Sequence, residues 1–319
     1  MTELHFIGVD IGGTKCAVTL GNAQGEVLKK IYFETTTVGE TLERIRASVG
    51  EVFTEAEQNV AAIGISCGGP LDSKMGVIMS PPNLPGWDDI HIVDMLKEEF
   101  HVPVFLQNDA DACALAEWKF GAGKGTENMI FCTFGTGLGA GLILGGRLYT
   151  GCCDMAGEVG HIRLSEYGPV GYGKAGSFEG FCSGGGIAQI GMTVARELLQ
   201  QGKKPSFCES LNDLDNITAK RVAECAKAGN EDAREVYRIC GRMLGKGLSI
   251  LVDVLNPERI VLGSVFARSH ELLTEEMYAV LKRECLERAL AHCEIVPAGL
   301  GESLGDVAAL SVAVNGYQR

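Results

Sequence analysis

Basic runs are missing from this 319-residue chain. Its 28 Lys and Arg face 41 Asp and Glu, the formal charge is −13, and nowhere do Lys or Arg cluster. A nucleic-acid backbone would be repelled over most of such a surface, which argues against nucleic-acid partners. Long apolar runs are missing as well; none approaches the ~20 residues a membrane span requires. Residues 4–9 are apolar, but the basic segment and long apolar core of a secretion signal are absent. The expectation is a soluble cytoplasmic protein. The twelve cysteines include no C-x-x-C pair, and Cys16, Cys67, Cys113, Cys132, Cys225 and Cys240 lie in apolar segments. They read as small buried thiols in a reducing compartment. Cys152-Cys153 is the only adjacent pair.

What the chain has in excess is glycine, 43 residues, or about 13% against a usual ~7%. Its length suggests two domains or one large one. Short strands are expected at 4–10, 16–21 and 26–33, a helix at 39–58, a buried strand at 61–66, a short helix at 91–100 and a strand at 102–107 running into an Ala-rich helix at 110–120. The second half starts the same way, with a strand at 128–134, a glycine turn, and more strand at 140–151. A glycine-rich irregular stretch covers 152–183, followed by helices at 184–202, 217–228 and 231–254, a strand at 257–263, a loop at Ser264, a helix at 270–290, a strand at 293–298 and a closing helix at 305–316. Strand, glycine turn, strand and helices thus occur twice, about 120 residues apart, which suggests duplicated α/β domains facing a cleft.

Two glycine turns invite a phosphate. In Asp10-Ile-Gly-Gly-Thr-Lys15, Gly12 and Gly13 let backbone amides approach an anion, Thr14 and Lys15 add a hydroxyl and a cation, and Asp10 is placed to hold water-coordinated Mg²⁺. A plain β-turn accounts for Gly-Gly equally well. Gly135-Thr136-Gly137-Leu138-Gly139-Ala140 formally matches a dinucleotide fingerprint, but strand-like Gly-Leu-Ile-Leu follows where that motif needs a helix. One Gly-Thr turn per half suggests two jaws on a single polyphosphate. Gly263 ends an apolar strand where α/β sheets bind ligands, and a simple connection is the alternative.

Asn108-Asp109 sits between a buried strand and a helix. Either residue serves as a helix cap, and one would suffice. Phosphoryl transfer needs a carboxylate to orient and deprotonate the attacking hydroxyl, and Asp109 fits that demand. Glu158 and His161 lie three apart in a glycine-flanked stretch too irregular to need them for folding; Glu179 follows.

These motifs, in this order, resemble the ROK family of sugar kinases and related repressors over essentially the whole chain. The resemblance implies an actin-like ATPase (ribonuclease H-like) α/β fold, two duplicated α/β domains around a cleft. Residues 1–120 would form the sugar and phosphate side, 121–300 the phosphate and nucleoside side, and 301–319 a terminal helix packing back on the first domain. It implies an ATP-dependent hexose kinase, glucokinase-like. Sugar contacts would come from Gly69, Asn83, Asn108, Asp109, Glu158, His161 and Glu179, with Asp109 as base. ATP would lie on Asp10, Gly12, Gly13, Thr14, Lys15, Gly135, Thr136, Gly137, Gly139 and Gly263, with Mg²⁺ at Asp10. A homodimer or homotetramer follows by family analogy. An N-acetylhexosamine kinase (for N-acetylmannosamine or N-acetylglucosamine) and a non-catalytic sugar sensor are the alternatives. Repressors of the family carry a DNA-binding segment before the first strand, and none is expected here.

One departure is plain. The family carries C-x-C-G-x-x-G-C-x-E after E-x-G-H, and three thiolates with the His bind structural zinc. Here the segment is Val170-Gly-Tyr-Gly-Lys-Ala-Gly-Ser-Phe-Glu179, one residue shorter from His161, placing Val170 or a gap, Tyr172 and Ser177 where thiolates belong. Valine cannot ligate, and Tyr and Ser are poor zinc ligands. No structural zinc is expected, and Cys152, Cys153 and Cys182 match no rescuing spacing.

Overall fold

The alternation of short apolar strands with glycine turns folds into two five-stranded sheets. The structure is a computed structural model and describes residues 4–57 and 59–318. In chain order the elements are β1 (His5–Ile11), β2 (Lys15–Asn22), β3 (Val27–Glu34), α1 (Val38–Glu55), β4 (Val60–Cys67), the short β5 (Leu71–Asp72) and β6 (Val77–Ile78), α2 (Ile92–Phe100), β7 (Val104–Asn108) and α3 (Asp109–Phe120). There follow β8 (Met129–Cys132), β9 (Ala140–Leu144), β10 (Arg147–Tyr149), β11 (Val170–Gly171), β12 (Lys174–Ala175), α4 (Phe178–Phe181), α5 (Gly184–Gln200), α6 (Ala219–Lys227) and α7 (Glu231–Leu255). The chain closes with β13 (Arg259–Leu262), α8 (Ser264–Glu284), α9 (Glu287–Leu290), β14 (Glu294–Pro297) and α10 (Leu304–Tyr317).

The sheet orders are β3-β2-β1-β4-β7 and β10-β9-β8-β13-β14. Each begins with antiparallel neighbours joined by tight turns and continues with parallel strands reached through helices. The duplication expected from the sequence is therefore visible in the strand order itself. By contact the chain falls into two compact units, Met1–Glu127 with Gly141–Ala156 and Gly299–Arg319, and Asn128–Ala140 with Gly157–Ala298.

In the first unit β1 and β4 are buried along nearly their whole length, as central strands covered on both faces must be. Helix α10 covers one face. Its Val307–Val314 stretch is buried all round, the pattern of a helix enclosed by protein rather than lying on it. Close approach requires Gly64: a methyl there would stand 2.3 Å from the Ala313 amide nitrogen and 2.4 Å from the Ala309 carbonyl oxygen. On the other face Ile45, Val49 and Val52 of α1 join Ile7, Val9 and Ile63 in the core.

Two local expectations are corrected. Residues 140–151 are not one strand: β9 and β10 form a hairpin about Gly145 and Gly146, whose φ of 58° and 69° are the left-handed values a two-residue turn requires. Helix α8 starts at Ser264 rather than 270, so the expected loop at Ser264 is the first helical turn, with Gly263 as its N-cap. No helix among the described residues is long and apolar enough to cross a membrane.

Candidate active site

In the first unit, β1 delivers Asp10 to the turn Gly12-Gly13-Thr14, which closes by a Gly12 N–H to Lys15 carbonyl bond of 3.0 Å. Thr35 Oγ donates to the Gly12 carbonyl at 2.6 Å. Gly13 has no room for a side chain, since a methyl would stand 2.3 Å from the Asn83 carbonyl oxygen. Thr14 and Lys15 are exposed. The same contacts gather the other residues singled out here. Asn83 Oδ1 lies 3.3 Å from the methyl position of Gly68, and Asn108 Nδ2 lies 3.1 Å from that of Gly69.

Asn108 ends β7 and caps α3, accepting the Ala110 N–H at 2.8 Å. Asp109 Oδ1 accepts the same N–H at 2.7 Å. The helix needs only one of them, so Asp109 is in excess of the capping requirement. Solvent reaches Asp109, yet crowding by protein raises its pKa, against the opposing pull of the Ala110 amide. Asp10 is pushed up to about 6, first by burial and then by the charge of Asp109, while a Ser66 hydrogen bond works the other way. Asp10, beside the charge of Asp109, supplies hard oxygen donors of the kind a divalent cation takes. Mg²⁺ therefore fits here.

In the second unit the other glycine turn is braced from within. Thr133 N–H donates to the Gly139 carbonyl, and Gly139 N–H returns to Thr133 Oγ, both at 2.9 Å. Gly135 N–H meets the Gly137 carbonyl at 2.9 Å. Thr136 is exposed. Glu179, in the first turn of α4, accepts the Leu138 N–H through Oε2 at 3.0 Å. A methyl at Gly137 would stand 2.7 Å from that oxygen, and one at Gly160 would stand 2.1 Å from the Leu138 carbonyl oxygen. Turn, E-x-G-H segment and Glu179 are thus interlocked. Glu158 precedes the 3-10 turn Val159–His161, and both it and His161 are exposed. Gly263 lies against this turn's strand, its methyl position 3.3 Å from the Cys132 carbonyl oxygen.

The residues at the zinc positions have other occupations. Val170 is bracketed by the Gln189 amide, which accepts its N–H at 2.8 Å and donates to its carbonyl at 2.9 Å. The Tyr172 ring packs edge-on to His161 with centroids 5.3 Å apart. Ser177 Oγ accepts the Gly180 N–H at 3.0 Å, and Cys182 Sγ points to the Cys240 carbonyl. Lys174 donates to the His161 carbonyl and Arg163 to that of Ala175. These side chains do not fit structural zinc. Among the described residues no three His, Cys, Asp or Glu side chains stand close enough to hold a metal ion by themselves, so Mg²⁺ at Asp10 would need water and phosphate oxygens to complete its shell.

The ROK family model matches residues 6–315. The chain belongs to the ROK family. It is 30% identical over 317 residues to a glucokinase of Halalkalibacterium halodurans, covering 96% of this chain and 93% of that one. It is 28% identical over 286 residues to a xylose repressor of Caldicellulosiruptor bescii, covering 87% of this chain and 70% of the repressor. Among solved structures it resembles a ROK family glucokinase from Streptomyces griseus in complex with glucose and AMPPNP, with a TM-score of 0.73, 29% identity and 98% and 99% of the two chains covered. Two α/β sheets of one strand order are the actin-like ATPase fold of ROK kinases.

Sequence reasoning passed over Ser66 and Glu117. Ser66 had a signal, a hydroxyl beside Asp10 on paired strands. Glu117 gave no such signal: it is one of three acids in α3, and nothing local marks it as the one that binds distant amides.

Proposed function

We propose that this chain is an ATP-dependent sugar kinase, glucokinase-like, that transfers the γ-phosphate of ATP to the terminal hydroxyl of a hexose. The observation that carries this reading is Asp109, a carboxylate at the start of α3 that its helix does not need as a cap and whose pKa is raised by crowding. A carboxylate so placed can accept the proton of an attacking hydroxyl. Gly69, Asn83 and Asn108 would hold sugar hydroxyls, with Asn108 Nδ2 lying 3.1 Å from the methyl position of Gly69. Glu158, His161 and Glu179 would serve as further sugar contacts, as the family resemblance implies.

The amides of Gly12 and Gly13 and of Gly135–Gly139, with Thr14, Lys15 and Thr136, would hold the phosphates; Gly263 faces the nucleoside side. Asp10 would hold Mg²⁺ through water. When bound, the ion offsets the charge on the transferring phosphate. Phosphoryl transfer asks little covalent chemistry of a protein, so orientation and charge compensation by these groups suffice. The similarity to a glucokinase crystallised with glucose and AMPPNP supports the same sugar and nucleotide classes here. The xylose repressor relative raises the reading of a sugar sensor without catalysis. Both phosphate turns and Asp109 argue for the kinase, since a sensor needs neither.

The test is product identity. With glucose and Mg·ATP, phosphorus NMR should show a sugar 6-phosphate appearing as ATP is consumed. A sugar 1-phosphate, or sugar binding with no turnover across a hexose and N-acetylhexosamine panel, would overturn the proposal.

A further inference from the structure

Helix α3 carries Asp109 at one end and Glu117 near the other. The 3.6-residue period puts Asp109, Cys113 and Glu117 on one stripe, with the two acids about 12 Å apart along the axis. Glu117 is fully buried, with 0% exposure. Its Oε2 accepts the Ala122 N–H at 2.7 Å and the Gly299 N–H at 3.0 Å, and its Oε1 accepts the Leu300 N–H at 2.9 Å. Its own carbonyl accepts the N–H groups of Gly121 and Gly123 at 3.0 and 2.9 Å. The next residue adds to the arrangement: Trp118 Nε1 donates to the Thr126 carbonyl at 2.7 Å, and Thr126 Oγ donates to that of Gly123 at 2.8 Å.

The segments so held have one thing in common. The chain first leaves the first unit after Glu127, revisits it over Gly141–Ala156, and returns for the last time at Gly299. One carboxylate therefore gathers amides from an outgoing and a returning segment separated by more than 170 residues. The two segments also touch: a methyl at Gly299 would stand 2.9 Å from the Ala122 amide nitrogen. Core packing alone does not call for this arrangement. An apolar side chain would fill the space without the cost of burying a carboxylate, but it would take the acceptor from three amides and leave the two segments unlinked.

We infer that Glu117 is a positioning residue. It anchors the helix that presents Asp109 to two segments at once, the one by which the chain first leaves the first unit and the one by which it finally returns. The inference rests on the kinase reading above. A loosened anchor displaces Asp109 from the line of phosphoryl transfer, and even about 1 Å of misplacement costs on the order of a hundredfold in rate.

The test compares wild type, Glu117→Gln and Trp118→Phe. Each is assayed for sugar phosphate formed, ADP released with and without sugar, and amide hydrogen exchange. Glu117→Gln keeps size but turns an N–H donor toward amides that need an acceptor. It should lower kcat for sugar phosphorylation at least tenfold and leave the sugar KM within about threefold. ADP released per sugar phosphate should rise above one, as water competes with a misplaced hydroxyl. Exchange should speed up in 121–126 and 299–300 together. Trp118→Phe, which keeps the carboxylate, should move the same ratio less far. A merely structural role would reduce the active fraction, scaling both rates together with ratio and KM unchanged. That outcome, or exchange rising in one segment only, overturns the inference. Wild-type protein silent on every sugar would overturn the kinase reading and this inference with it, before any variant is examined.

Discussion

Glu179 accepts the Leu138 N–H at 3.0 Å, joining a residue proposed to hold sugar to the backbone of a turn proposed to hold phosphate. One carboxylate thus shapes both halves of the proposed site. Glu179→Ala would leave the amide of buried Leu138 without its acceptor, a loss of about 1–3 kcal/mol. Both the sugar KM and the ATP KM should rise, each about tenfold or more. A rise confined to the sugar KM would show that the bond does not shape the turn. Gly137→Ala should give the same double effect, because its methyl would meet Glu179 Oε2 at 2.7 Å.

The Asp10 pKa gives a pH prediction with a definite sign. Its carboxyl moves from an ordinary 3.8 to about 6 in the folded chain. Between these values the folded state binds more protons than the unfolded state, so this group's contribution to stability falls as pH rises through that window. Mg²⁺ needs the ionised form, so Mg·ATP binding should strengthen as pH rises through about 6 and release a proton below it. Asp109→Asn removes the neighbouring charge and should move this limb to lower pH. Calorimetry in two buffers of different ionisation heat checks this; an unmoved limb would separate the two carboxylates.

Packing of α10 on β4 depends on Gly64. A methyl there would meet backbone atoms at 2.3 and 2.4 Å, which no side-chain rotation relieves. Gly64→Ala should destabilise the first unit by about 1–3 kcal/mol. Thermal unfolding should shift down by a few degrees; an unchanged midpoint would mean that α10 rides free of the sheet.

The loop from His161 to Glu179 is held by the Gln189 bracket on Val170 and the Lys174 and Arg163 bonds to carbonyls. A zinc chelator should therefore leave the melting temperature and sugar KM unchanged, and metal analysis should find well under one zinc per chain. Stoichiometric zinc with a melting temperature lowered by chelation would contradict this account of the loop.

Much of the candidate site could be proposed from the sequence because its motifs are local. The Asp10–Lys15 turn, the Asn108-Asp109 junction and the E-x-G-H segment each lie within a few residues of sequence. Errors arose where a local signal was interrupted. Ser269, with φ of −143° inside α8, breaks the helical period, so the pattern becomes regular only at 270 although the helix begins at Ser264. Gly145-Gly146 looked like weak points in one strand because Gly is compatible with both strand and turn. Glu117 was illegible for a different reason: its amide partners at Gly299 and Leu300 are 182 and 183 residues away. The raised pKa of Asp10 depends on burial and on Asp109, which only the paired strands bring near.

The measurement that bears most directly on the central claim is sugar-dependent ADP release, run on wild type and Asp109→Asn with Mg·ATP. The panel is glucose, mannose, allose, fructose, N-acetylglucosamine and N-acetylmannosamine. The account predicts release with at least one hexose in wild type. In Asp109→Asn it predicts a loss of about a hundredfold or more, with sugar binding retained. Near-wild-type turnover in the variant would contradict Asp109 as the base.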